Sequence, residues 1–367
     1  TNLTTRKHSR KKRNQKGIKW FYITAAGLVS AVILAAILFK IRADSADSQR
    51  PAGTSVSQKI AGSGDRAGDS PNEENRPDKG NQWNKTNTDN TNIRTIISQM
   101  SLEQTAAQLF IITPEALTGF QTVTQAGDAT YKALQEYPVA GLIYFPQNLQ
   151  NPKQLKTMTA KTQEFASGLN QPPLFLSIDE EGGKVARIAN HEGFDLPKVD
   201  TMAEIGKSRD ISRAYEAGSV IGEYLEELGI NLDLAPDADV LTNPDNTVVL
   251  DRSFGSDPVL VTQMTKAYMK GLEEHHVYGT PKHFPGHGAT QGDSHKGFAY
   301  TYKTWDELEQ AELVPFAGLI QDNTPFIMAG HISLPRITGD DTPSSLSPQV
   351  LTGYLRETMG YKGIIIT

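Results

Sequence analysis

From Ile93 onward, short apolar runs alternate with longer amphipathic stretches, and no other feature of the chain narrows its fold as far. The runs fall at Leu109–Ile112, Gly141–Phe145, Leu174–Ile178, Asn231–Leu234, Gly279–Lys282, Phe326–Ala329 and Gly363–Ile366. Helix-like stretches lie between them at 151–169, 210–229, 257–276, 304–320 and 347–358, and Ser101 with Gln104 spells a capping box ahead of a helix near 101–109. Runs this short, with no polar alternation, read as strands buried on both faces. Strand and helix in strict succession predict a parallel sheet, either doubly wound or closed as a (β/α)8 barrel. With seven strands in hand, the expected fold is an α/β TIM barrel, incomplete, over residues 93–367.

What precedes it is built differently. Residues 1–19 hold eight of the 36 cations and none of the 42 acids, so the remainder carries a net charge near −14. Such an acidic body argues against nucleic acid as a partner. Trp20–Phe39 is twenty residues without a charge. At about 1.5 Å per residue it is long enough to cross the roughly 30 Å hydrocarbon layer. The basic tail before it favours a cytoplasmic amino terminus. A single-pass signal anchor follows, with the body outside the membrane; the alternative is secretion after signal cleavage. Residues 40–92 are rich in Ser, Asp, Gly, Asn, Lys and Pro, and read as a flexible polar linker. The absence of cysteine excludes disulfides, thiolate metal sites and a cysteine nucleophile.

In a barrel, chemistry sits at the carboxyl ends of the strands. The polar, glycine-rich strings fall there: Asp179-Glu-Glu-Gly-Gly-Lys-Val-Ala-Arg187, Asp251-Arg-Ser-Phe-Gly255, Lys282-His-Phe-Pro-Gly-His-Gly288 and Gly292-Asp-Ser-His295. His283 and His287 have the four-residue spacing of zinc ligands on a helix, but Pro285 and Gly286 between them forbid the helix, and no metal or cofactor is expected. His287 reads as a structural turn residue. Asp237 and Asp239 could cap the next element or pair with Arg252, and a role toward substrate stays open. Gly182 and Gly183 suit a tight turn beneath Asp179.

Together these strings resemble glycoside hydrolase family 3, in its β-N-acetylglucosaminidase branch. The usual form of the first string has Gln where this chain has Glu180. The resemblance implies a retaining exo-glycosidase that removes terminal β-linked N-acetylglucosamine, with peptidoglycan fragments the expected carbohydrate substrate. By the same resemblance Asp179 would hold sugar hydroxyls, while Arg252, Lys282 and His283 would donate hydrogen bonds to others, and Arg187 would brace the site from behind. His295 would be the general acid/base, assisted by Asp293. The nucleophile would be an aspartate immediately after strand seven, which here reaches Thr367, so a chain ending there is expected to be inactive by itself. A β-glucosidase or xylosidase of the same family, or a catalytically dead sugar-binding protein, are the alternatives.

Overall fold

The structure, a computed structural model, describes residues 89–291 and 299–367. The basic tail, the Trp20–Phe39 segment, most of the polar stretch after it, and the 292–298 segment with Asp293 and His295 lie outside the described residues. Among the described residues no helix is long and apolar enough to cross a membrane.

Among the described residues, seven strands form the main parallel ladder. They are β1 (Ile111–Ile112), β2 (Gly141–Ile143), β3 (Phe175–Ile178), β4 (Leu232–Asp233), β5 in two runs (Tyr278–Gly279 and Lys282–Phe284), β6 (Phe326–Ala329) and β7 (Ile364–Ile366). Each pairs with the next: Ile111 with Gly141, Gly141 with Phe175, Ser177 with Leu232, Leu232 with Tyr278, Lys282 with Met328 and Phe326 with Ile364. Pro281, which has no N–H to give a ladder, interrupts β5. The chain holds its course across the gap through Thr280 N–H to Ala235 O (2.6 Å), Lys282 N–H to Pro236 O (3.2 Å) and Met328 N–H to Pro281 O (3.0 Å). The result is an α/β fold of TIM-barrel type with a parallel sheet. The closure expected of a full barrel is not seen: among the described residues β1 and β7 share no hydrogen bonds.

Side chains alternate across each strand, so one face of the sheet turns inward and the other meets helices. On the inner face Phe175, Tyr278 and Phe326 meet edge to face, at centroid distances of 5.3–6.3 Å, and Leu232, Met328 and Ile366 fill around them. On the outer face lie the helices Pro152–Gly168, Ile211–Glu227 and Pro258–Glu274. Asn151, Asp210 and Asp257 cap these three, each accepting from a backbone N–H of the first turn, an arrangement worth about 1 kcal/mol per helix. The helix Pro258–Glu274 buries Leu260, Val261, Met264, Tyr268 and Leu272, the three-and-four spacing of one helical stripe. It approaches Ile211–Glu227 so closely that a Cβ on Gly218 would lie 2.0 Å from Tyr268 O, so only glycine fits.

The expected capping box is present, with Ser101 and Gln104 satisfying each other's backbone N–H ahead of the helix Leu102–Ala107. The helix read over 304–320 is two, Trp305–Glu309 and Leu313–Gln321, with the buried Glu312 between them. The first described helix, Asp89–Gln99, spans the boundary read at Ile93.

Candidate active site

Among the described residues, the polar strings at 179–187 and 282–288 begin at the carboxyl ends of their strands, and that at 251–255 follows in the loop after β4. After β3, Asp179 is followed by a hairpin in which Glu180–Gly182 pairs antiparallel with Val185–Ala186. Its turn needs two left-handed residues, supplied by Gly182 (φ +95°) and Gly183 (φ +53°). The hairpin brings Arg187 N–H back to Asp179 O at 3.3 Å and Arg187 Nη2 to 3.7 Å from Asp179 Oδ2. After β4, the chain carries Asp237 and Asp239 inward and then Arg252. Ser253 fastens that loop by donating to Asp239 O at 2.6 Å. The second run of β5 delivers Lys282 and His283.

These groups interlock. Lys282 Nζ donates to Asp179 Oδ1 at 2.9 Å and lies 2.6 Å from Glu181 Oε1. Arg252 grips Glu181 with both arms of its fork, Nε to Oε2 and Nη2 to Oε1, each at 2.7 Å. Its Nε stands 3.6 Å from Asp237 Oδ2, and its Nη2 is 3.5 Å from His283 Nε2. Asp239 accepts from His283 N–H (3.3 Å) and His287 N–H (2.5 Å) at Oδ1, and its Oδ2 faces His283 Nδ1 at 2.8 Å. Two charged strong donors meeting one carboxylate in bidentate and monodentate fashion fix the positions of all three side chains.

Burial sets the electrostatics. It would raise the Glu181 carboxyl, but the charges of Lys282 and Arg252 outweigh it and hold the pKa down at about 2. Lys282 moves the other way and is raised: burial opposes its charge, and Asp179 and Glu181 outweigh it. Asp237 is pushed well above the usual carboxylate range by burial and by Asp239 beside it, and its buried Oδ2 has no hydrogen-bond partner. Burial and then Arg252 lower His283 to about 3, and burial lowers His287. Deeper still, Glu180 accepts from Ile188 N–H (2.8 Å), Ala189 N–H (2.9 Å) and Tyr224 OH (2.9 Å), which ties down the segment after Arg187.

A pH dependence follows. Between pH 7 and 4 the unfolded chain takes up a proton at His283 near pH 6.5, whereas the folded site refuses it until about pH 3, so stability falls as pH drops through this window. Replacing His283 by Gln removes one such proton. In urea titrations of the natural protein the variant's stability curve should be flatter between pH 6 and 4 by up to ~1.4 kcal/mol per pH unit.

Asp179, Arg187, Arg252, Lys282 and His283, all singled out in the sequence, therefore come together in one cluster. Glu181 belongs to it too, with no separate reading from sequence, and Asp239, for which a substrate role stayed open, joins through His283. Asp237 stands beside Arg252, one of the three readings open for it. His287 is buried, with Nδ1 2.7 Å from Thr290 Oγ1, as a turn residue should be. Asp237, Asp239 and His283 bring oxygen and nitrogen atoms within 4.8 Å of one another, near enough to share a cation. The arrangement does not ask for one, because the His283 ring already bonds Asp239 and the Arg252 guanidinium stands beside Asp237.

Strand-end cations and carboxylates on a parallel α/β sheet of TIM-barrel type stand where domains of this class carry their chemistry. This chain belongs to glycosyl hydrolase family 3, since the model of that family's N-terminal domain matches residues 99–367. It is 36% identical over 247 residues to beta-hexosaminidase A of Pseudoalteromonas piscicida, covering 64% of this chain and 41% of that one. It is also 36% identical over 239 residues to beta-hexosaminidase LpqI of Mycobacterium tuberculosis, covering 65% and 58%. The chain thus spans about half the length of these curated relatives. Among solved structures, a family 3 β-N-acetylglucosaminidase from Paenibacillus sp. superposes with a TM-score of 0.67 at 34% identity, over 72% of this chain and 48% of that one. NagZ from Neisseria gonorrhoeae in complex with N-trifluoroacetyl-D-glucosamine superposes with a TM-score of 0.60 at 30% identity, over 66% and 71%.

Proposed function

We propose that the cluster binds the terminal sugar of a retaining exo-β-N-acetylhexosaminidase that removes β-linked N-acetylglucosamine from peptidoglycan fragments. The observation that carries this reading is the interlocked set Asp179, Glu181, Arg252, Lys282 and His283. Lys282 has three N–H bonds, of which two are committed to Asp179 and Glu181, leaving one for a ligand. Arg252 spends Nε and Nη2 on Glu181. Asp179 keeps acceptor capacity on a partly open carboxylate. Fixed donors and acceptors of this kind match a ring bearing several hydroxyls and need no reorganisation when it arrives.

Cleavage then requires a proton donor at the leaving oxygen and an attacking carboxylate on the opposite side of the anomeric carbon. In this reading His295 shuttles the proton with Asp293 steering its ring, and the attacking carboxylate follows β7, whose carboxyl end lies at the same end of the sheet as Lys282. An imidazole near its ordinary pKa of about 6.5 can give a proton and take it back at neutrality. The beta-hexosaminidase names of the relatives, and the amino-sugar analogue bound by the gonococcal neighbour, support the amino-sugar choice. The Trp20–Phe39 anchor would hold the domain at the outer face of the cell membrane, on a linker giving it reach.

A panel of 4-nitrophenyl β-glycosides tests the reading on the natural protein. The N-acetylglucosaminide should be hydrolysed with kcat/KM at least tenfold above the glucoside and xyloside. Preference for either of those sugars sinks the amino-sugar assignment, and binding without hydrolysis of any of them points to a sugar-binding protein.

A further inference from the structure

We propose that Asp239 is a positioning residue that fixes His283 in its Nδ1–H tautomer, so that Nε2 accepts a hydrogen bond from a sugar hydroxyl instead of giving one. This deepens the sugar-binding reading and rests on it. It also reverses the sense of the contact that the sequence resemblance implies for His283.

Both ring nitrogens are constrained independently. On one side Asp239 Oδ2 lies 2.8 Å from Nδ1. Burial raises the Asp239 carboxyl, but its Oδ1 accepts two backbone N–H groups, from His283 and His287, and these oppose that rise and hold Oδ2 toward the ring as an acceptor. With Oδ2 accepting, Nδ1 carries the proton. On the other side Arg252 Nη2 stands 3.5 Å from Nε2. A guanidinium has donors only, so a proton on Nε2 would set N–H against N–H, whereas a lone pair there is welcomed. The two constraints name the same tautomer.

The charged and titratable groups around the ring keep it neutral. Arg252 and Lys282 oppose a second proton, Asp237 and Glu181 favour one, and burial decides against it. Asp239 and His287 face it from the adjoining loop, the His287 ring standing edge to face at 5.5 Å. A neutral imidazole whose lone pair sits beside a guanidinium is a socket for one kind of group: a hydroxyl, which can accept from Arg252 and donate to Nε2 at once. An ether, a fluorine or a carbonyl can do only the first.

The test uses the natural full-length protein with 15N-labelled histidine. Long-range 1H–15N spectra should show His283 with a protonated Nδ1 and a bare Nε2, and N-acetylglucosamine should move the Nε2 resonance. In Asp239→Asn the amide oxygen can still accept the backbone N–H groups, so the loop stays fastened, but the side-chain NH2 now faces Nδ1. The ring should switch to Nε2–H, and affinity for N-acetylglucosamine should fall roughly 10- to 100-fold, because two donors then face each other in a buried site. A wild-type spectrum showing Nε2–H overturns the proposal even if the variant does not fold. An unchanged tautomer and affinity in a folded Asp239→Asn overturns it as well. A ring that is Nδ1–H but indifferent to N-acetylglucosamine overturns the amino-sugar reading and, with it, the acceptor role.

Discussion

Replacing Glu181 with alanine should destabilise the fold by about 3–5 kcal/mol, the cost of leaving buried charge without its partner. The carboxylate is 2% exposed and joins Lys282, 3% exposed, to Arg252, 16% exposed. Removing it strands both cations at once. Asp179 and Asp237 would remain, but Asp237 stands 3.6 Å from Arg252 Nε and burial raises its pKa well above the usual carboxylate range. Urea unfolding of the natural protein measures the effect. Glu223→Ala, on the exposed face of the helix Ile211–Glu227, is the control and should change stability by less than about 0.5 kcal/mol. A loss below about 1 kcal/mol for Glu181→Ala would mean that the two cations are not interlocked through it.

The second large effect is on rate. In the natural protein His295→Ala should lower kcat about 10²- to 10⁴-fold, the usual contribution of a general acid, while affinity for N-acetylglucosamine changes only a few-fold. The loss should be larger for an alkyl aglycone than for 4-nitrophenol, because a poor leaving group depends more on being protonated as it departs. Equal losses for both leaving groups, or affinity falling in step with rate, would count against the proton-transfer role.

Much of this fold can be read in the chain because its strands are short, apolar and buried on both faces. Phe326–Ala329 matches the expected run to the residue. Gly279–Lys282 does not, because Pro281 breaks the hydrogen-bonding pattern there and the ordered ladder lies on either side of it, at Tyr278–Gly279 and Lys282–Phe284. The helix over 304–320 keeps its periodicity through Gln310–Glu312, and only packing reveals the break: Glu312 turns inward to meet Lys303 and Thr242. Helices at Pro114–Thr118, Asp128–Glu136 and Met202–Ser208 are short or weakly patterned and went unread.

At the site the legible residues were those of types that act on sugars directly. Glu181 sits in an acidic pair, and nothing local distinguishes a buried carboxylate clamped by two cations from a solvated one. Its partners are 71 and 101 residues further along, and only the fold brings them near. Asp239 is visible as a candidate, but its bonds to His283 and His287 are hidden for the same reason. Its acceptor oxygens serve His283 and His287 across more than forty residues. The hairpin after Asp179 did leave a trace, in the two glycines its turn requires.

The pairing of Lys282 and Arg252 with acids of the same chain bears on selectivity. Positive and negative groups in this socket nearly cancel, so a phosphorylated or uronic sugar finds no surplus attraction to offset losing its hydration shell. The ligand such a socket rewards is an uncharged polyol, and any anionic part of a larger substrate does best left outside in solvent.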